Sequence, residues 1–100
     1  MLDVKRTDDF DAWLKALRDV RARAKVNVRI GRLVEGNPGD VRPVGDGISE
    51  MRIPHGPGYR VYYVMRGTTL VVLLAGGDKS TQERDIVLAK RLVANLPREL

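Results

Sequence analysis

VGDGISEMRIPHGPGYRVYYVMRGTTLVVLLAGGDKST, residues Val44 to Thr81, decides the fold. Ile48 to Ile53 alternates, with Glu50 and Arg52 on one face and Met51 and Ile53 on the other, the pattern of a half-buried strand. Pro54, Gly56, Pro57 and Gly58 close that strand in a tight loop. Tyr59 to Met65 is β-branched and aromatic and sets Arg60, Tyr62 and Val64 opposite Tyr59, Val61 and Tyr63. Arg66, Gly67 and Thr68 turn the chain into Thr69 to Ala75, which is apolar throughout and so predicts an interior strand. The result is a three-stranded meander that displays Arg52, Arg60 and Lys79 around one patch.

Working outward, Leu2 to Lys5 suits a short opening strand, and Thr7 is an N-cap for a helix with apolar positions Phe10, Trp13, Leu14 and Leu17. Asp8, Asp9 and Asp11 in the first turn and Arg18 near the end complement the helix dipole. Asp19 caps a second helix, with Ala22, Val26, Ile30, Leu33 and Val34 along one side and Arg21, Arg23, Lys25, Arg29 and Arg32 on others; Gly36 stops it. Two helices so closely joined form an αα-hairpin whose apolar stripes need a sheet to pack on. Asn37 to Gly47 reads as a connecting loop with an extended piece at Val41 to Val44. Ser80 and Glu83 fit a capping box that opens a last helix through Ile86, Ala89, Val93 and Leu96, stopped at Pro97. The expected fold is α+β in the order β-α-α-β-β-β-α, a small antiparallel sheet packed on an N-terminal αα-hairpin and a C-terminal helix, with residues 1–100 as a single domain.

Lys and Arg number 18 against 13 Asp and Glu, a net charge of +5 that favours an anionic partner such as nucleic acid or an acidic segment. With no cysteine and one histidine, His55, no thiolate site exists and metal catalysis is not expected; no cofactor is implied. The charged N-terminus lacks the apolar core of a signal peptide, and Leu70 to Ala75 is too short to cross a bilayer, so no membrane association and a cytoplasmic location are expected.

Phosphate chemistry on RNA develops negative charge on non-bridging oxygens, which preoriented cations stabilise. Arginine grips two such oxygens at once, and Arg52 and Arg60 sit on neighbouring strands; Lys79 precedes a helix N-terminus whose free amides favour an anion. These three, with His55 as a candidate proton carrier, form the candidate catalytic set. Tyr59, Tyr62 and Glu50 are further candidates for proton transfer, and the residues alone do not choose among them. Against this stand plainer readings: Glu50, Arg52 and Arg60 as an ion-paired polar exterior, Tyr59, Tyr62 and Tyr63 as sheet packing, Trp13 as core, and the basic face from Arg21 to Arg32 as solvated surface.

FDAWLKALRD, RIGRLVEGNPGD, ISEMRIPHGPGYRVYYV and LLAGGDKSTQERDIVLAK together resemble the addiction-module killer proteins, the HigB-like, phage-derived Gp49-like branch of the RelE/ParE toxin superfamily, over nearly the whole chain. The resemblance implies a RelE-like fold and a type II toxin that cleaves messenger RNA in the ribosomal A site without a metal. Gly58, Tyr59 and Arg60 are similar to the GYR of RelE-type toxins, which gives Arg60 an active-site role. Arg52 matches a basic strand position, and Lys79 falls where an arginine often stands before the last helix. The implied RNA-binding set is Arg52, Arg60, Tyr59, Lys79 and Gln82. Asp85 stands near the place of a RelE tyrosine and Glu50 in that of a lysine, which leaves the acid and base unassigned. Implied partners are a cognate helix-turn-helix antitoxin, mRNA on the ribosome, and operator DNA through the antitoxin complex only. A ParE-like gyrase inhibitor, or a non-catalytic basic module acting in operon repression, is the alternative.

Overall fold

Thr7 accepts the Phe10 amide on its hydroxyl oxygen at 3.0 Å and opens α1 (Asp8–Ala16); Asp19 accepts from Arg21 and Ala22 and opens α2 (Val20–Val34). Both caps satisfy amides that the first helical turn leaves without partners. At the far end of α2, Gly36 takes φ +90°, and the amides of Gly36 and Asn37 reach the carbonyls of Leu33 and Arg32 at 2.9 and 2.8 Å. This pair of bonds is a Schellman stop, which needs a left-handed residue and therefore glycine. The structure, a computed structural model, describes residues 1–97.

Five strands form one sheet: β1 (Asp3–Arg6), β2 (Val41–Gly45), β3 (Ile48–Ile53), β4 (Tyr59–Arg66) and β5 (Leu70–Asp78), in the order β1-β5-β4-β3-β2. β2 to β5 run antiparallel to their neighbours, whereas β1 lies parallel to β5 from Asp3 opposite Leu70 to Arg6 opposite Leu73. Two expectations are corrected here. The sheet is mixed rather than antiparallel, because the hairpin α1–α2 carries the chain across the sheet between β1 and the meander. The extended piece around Val41–Val44 is a full strand, and it tolerates Pro43 because it lies at the sheet edge.

α3 (Gln82–Ala94) packs on the face opposite the hairpin, so both faces of the sheet are covered. Phe10, Leu14, Val26 and Leu33 meet Met51, Ile53, Val61 and Tyr63 on one side; Ala89 meets Ile48, Tyr62, Val64 and Val72 on the other. Each large apolar side chain so enclosed contributes about 1.5–3 kcal/mol. A bulge opposite Tyr62 and Tyr63 turns both Leu74 and Ala75 towards α3. Beyond it, Gly76 and Gly77 stand where no Cβ fits: one on Gly76 would lie 2.1 Å from the Trp13 ring, and one on Gly77 would overlap the Asp85 carboxylate. Trp13 thus packs against β5 from the hairpin side, and Asp85 from the α3 side.

The start of α3 departs from the predicted Ser80–Glu83 capping box. Asp78 accepts from the Ser80 amide at 2.8 Å, Thr81 accepts from the Asp78 amide at 3.2 Å, and a 3-10 turn over Lys79–Thr81 leads into the helix. Asp78 and Thr81 form the reciprocal pair two residues earlier than Ser80 and Glu83 would. The helix ends at Ala94 with Asn95 as its cap, just ahead of Pro97.

Candidate functional site

On the α3 face of β3 and β4, two successive rungs carry charged residues: Glu50 opposite Tyr62, and Arg52 opposite Arg60. The first rung is enclosed. Glu50 is fully buried and accepts from Tyr62 Oη at 3.0 Å, Gln82 Nε2 at 2.8 Å and Arg42 Nε at 3.1 Å. Burial alone would raise its pKa, but the Gln82 and Tyr62 hydrogen bonds and the Arg60 and Arg42 charges outweigh it and hold the carboxyl below its ordinary value. Burial pushes the Tyr62 phenol strongly up, and its bond to the Glu50 carboxylate adds to this, so Tyr62 stays protonated and donates. The expected polar exterior is therefore corrected: α3 covers this face, and the ion-pair partner of Glu50 is Arg42 rather than Arg60.

The second rung is open. Arg52 Nη2 meets Asp40 Oδ1 at 3.0 Å, while no carboxylate among the described residues lies within ion-pair distance of Arg60. Arg60 Nε and Nη1 and Arg52 Nε are buried without hydrogen-bond partners. Like charges directly opposite on a sheet destabilise it, and each unsatisfied buried donor costs roughly 1–3 kcal/mol, so this rung weakens the fold, and an anion beside it would offset the repulsion. A cleft of about 330 Å³ opens at this point, lined by Asp40, Arg52, Gly58, Tyr59 and Arg60 with Ile53 and Pro54. Arg29 of α2 fixes its rim, donating to the carbonyls of Arg52 at 2.6 Å, Pro38 at 3.1 Å and Asp40 at 3.3 Å.

The remaining predicted residues are placed unequally. Lys79 is exposed, with its Cβ beside Gly58, but it does not line the cleft of Arg52 and Arg60. The free helix amides expected next to it are taken by the Asp78 carboxylate, which the Ser80 hydroxyl and the Ser80 and Thr81 amides hold below the usual carboxylate range. His55 does not join the cluster: its Nε2 lies 2.9 Å from Asp19 Oδ2 at the start of α2, and its ring stacks on Tyr59. That bond, with the Ala22 amide, lowers the Asp19 pKa. The Tyr59 ring packs toward Trp13 and the hairpin core, and Gln82 is committed to Glu50. Asp40 is the cleft residue that sequence reasoning missed; it sits in a Gly-Pro loop with no periodicity to mark it.

A mixed five-stranded sheet between a helical hairpin and one helix, with two arginines opposite each other beside a cleft, defines a small α+β protein. Residues 12–94 match the family described as phage derived protein Gp49-like (DUF891), and the chain belongs to that family, a branch of the RelE/HigB-like toxin superfamily. An uncharacterized protein of Haemophilus influenzae is 53% identical over 95 residues, covering 95% of this chain and 96% of its own length. The solution structure of the conserved hypothetical protein HP0894 from Helicobacter pylori is similar in fold, with a TM-score of 0.50 and 21% identity over 80% of this chain and 97% of that one. Family membership is consistent with a toxin that pairs with an antitoxin. Among the described residues no helix is long and apolar enough to cross a membrane.

Proposed function

We propose that this protein is the HigB-like toxin of a type II toxin–antitoxin pair, a ribosome-dependent, metal-independent mRNA endoribonuclease neutralised by a helix-turn-helix antitoxin. The observation that carries the reading is the Arg52–Arg60 rung: two cations directly opposite each other, with Arg52 Nε, Arg60 Nε and Arg60 Nη1 lacking acceptors, border a cleft. In-line attack of a 2′-hydroxyl on the adjacent phosphate passes through a crowded phosphorane whose equatorial oxygens gain charge. Arg60 and Arg52 are held opposite each other by the sheet register, and the Arg52 guanidinium by Asp40, so little reorganisation is needed as the reaction proceeds. The exposed cations Arg21, Lys25 and Arg32 on α2 give the opposite layer an electrostatic surface suited to ribosomal RNA. Acidic segments of an antitoxin would compete for the same cations, and operator DNA would be met through that complex.

Inducible expression with primer-extension mapping tests this. Wild-type protein is expected to create new mRNA 5′ ends bearing hydroxyls, and Arg60→Ala to lower cutting roughly 10²- to 10³-fold, the usual effect of removing one preoriented donor. An Arg60→Ala protein that cuts at the normal rate would contradict the assignment, and DNA breaks without mRNA cuts would point to a gyrase poison instead.

A further inference from the structure

Cleavage by a 2′-hydroxyl needs a proton acceptor, and the geometry points to Asp40, a residue 12 positions before Arg52 that the sequence patterns do not mark. This inference rests on the ribonuclease reading and deepens it. The other proton-transfer candidates are committed elsewhere, Tyr59 through a ring that packs toward Trp13 and the hairpin core. Glu50 is sealed under three donors, Tyr62 is buried and donates to it, and His55 is tied to Asp19 on the hairpin side. Asp85 is 3% exposed and accepts from Thr81, wedged against Gly77.

Asp40 differs in each respect. It is the one carboxylate among the residues lining the cleft of the two arginines, and its side chain is 57% exposed, so a substrate can reach it. Its backbone is nonetheless fixed, since the Asp40 carbonyl accepts from the Arg52 amide at 3.0 Å and from Arg29 at 3.3 Å. Gly39 beside it takes φ +74°, and a Cβ there would stand 3.0 Å from the Arg29 guanidinium, so the loop closes down on that anchor. One carboxylate oxygen is oriented by Arg52 Nη2, which leaves the other free to meet a hydroxyl. A base held beside the cation that grips the phosphate satisfies the requirement that acceptor and reacting proton come within hydrogen-bond reach.

In the step, the Asp40 carboxylate takes the 2′-hydroxyl proton as the O2′–P bond forms. The P–O5′ bond breaks, its electron pair stays on the 5′-oxygen, and that oxygen takes a proton from solvent, to which Asp40 later returns its own. The products are a 2′,3′-cyclic phosphate and a 5′-hydroxyl, with no redox change.

The test compares purified wild type, Asp40→Asn and Asp40→Ala on mRNA-programmed ribosomes, with thermal unfolding run on each protein. Asparagine keeps an oxygen for Arg52 and removes the base, so kcat is expected to fall roughly 10²- to 10⁴-fold with no rise in KM and an unchanged Tm. Added formate is expected to restore part of the Asp40→Ala rate. Wild-type cleavage together with an undiminished or faster Asp40→Asn overturns the assignment, since the carboxylate then only neutralises Arg52, and leaves the ribonuclease reading standing. Absence of cleavage by the wild-type protein removes both.

Discussion

Glu50 opposite Tyr62 and Arg52 opposite Arg60 are adjacent rungs on one face of the same two strands, yet they are built on contrary principles. The Glu50 rung is closed: one buried carboxylate, three donors and a helix over it. The Arg60 rung is open: two cations in opposition, donors without acceptors, and a cleft in front. A fully satisfied buried network holds α3 to the sheet and fixes its register, whereas a half-satisfied one weakens the fold unless something outside completes it. On the proposed function, the difference separates a structural polar cluster from a phosphate site, although both look alike as alternating charged positions.

The contrast can be broken most directly at its closed side. Glu50→Ala leaves the half-exposed Arg42 without its partner and the Tyr62 and Gln82 donors without their acceptor, and each buried donor so orphaned costs about 1–3 kcal/mol. Chemical denaturation should register that loss; a change under 1 kcal/mol would mean that the network contributes little. Gly77→Ala is expected to act at the open rung, because the new methyl displaces Asp85 and stands on the residue opposite Arg60. Overpacking of this kind costs about 1–3 kcal/mol, and a crystal structure should find Asp85 and Thr81 moved.

The smallest expected effect is a pH dependence. The folded Glu50 carboxyl titrates below its ordinary 4.5, so the unfolded chain binds the proton first, and stability present above about pH 4.5 is lost as pH falls through the folded value. Urea denaturation of Glu50→Gln should depend less steeply on pH in that window. Tyr62 has the opposite sign: its folded phenol lies well above 10.0, so stability present below pH 10 falls as pH rises further, and Tyr62→Phe should flatten that slope.

Features governed by near neighbours were legible in the sequence. Thr7, Asp19 and Gly36 mark helix ends through bonds spanning two to five residues, and the alternation of β3 and β4 assigns every side chain there to the correct face. Features governed by distant partners were not. The parallel pairing of β1 with β5 joins residues 67 positions apart, and the extended piece at Val41–Val44 becomes a strand only through its pairing with β3. Asp78 takes the cap in place of Ser80 because it ends β5, where pairing opposite Tyr59 positions its carboxylate to accept from the Ser80 amide. Alternation puts Glu50 on a polar face, but its burial comes from α3 and from Gln82, 32 residues away. For the site, Arg52 and Arg60 could be paired from the meander, whereas the commitment of His55 to Asp19 and the entry of Asp40 depend on contacts 36 and 12 residues apart.

The central claim is that the open rung is kept for a bound phosphate and not for the fold. Measuring unfolding free energy and ribosome-dependent mRNA cleavage on one preparation of Arg60→Met tests it, since the methionine fills similar space without a charge. The account predicts stability equal to or above that of the wild type, with cleavage lowered at least about 100-fold. Reduced stability with cleavage intact would contradict it.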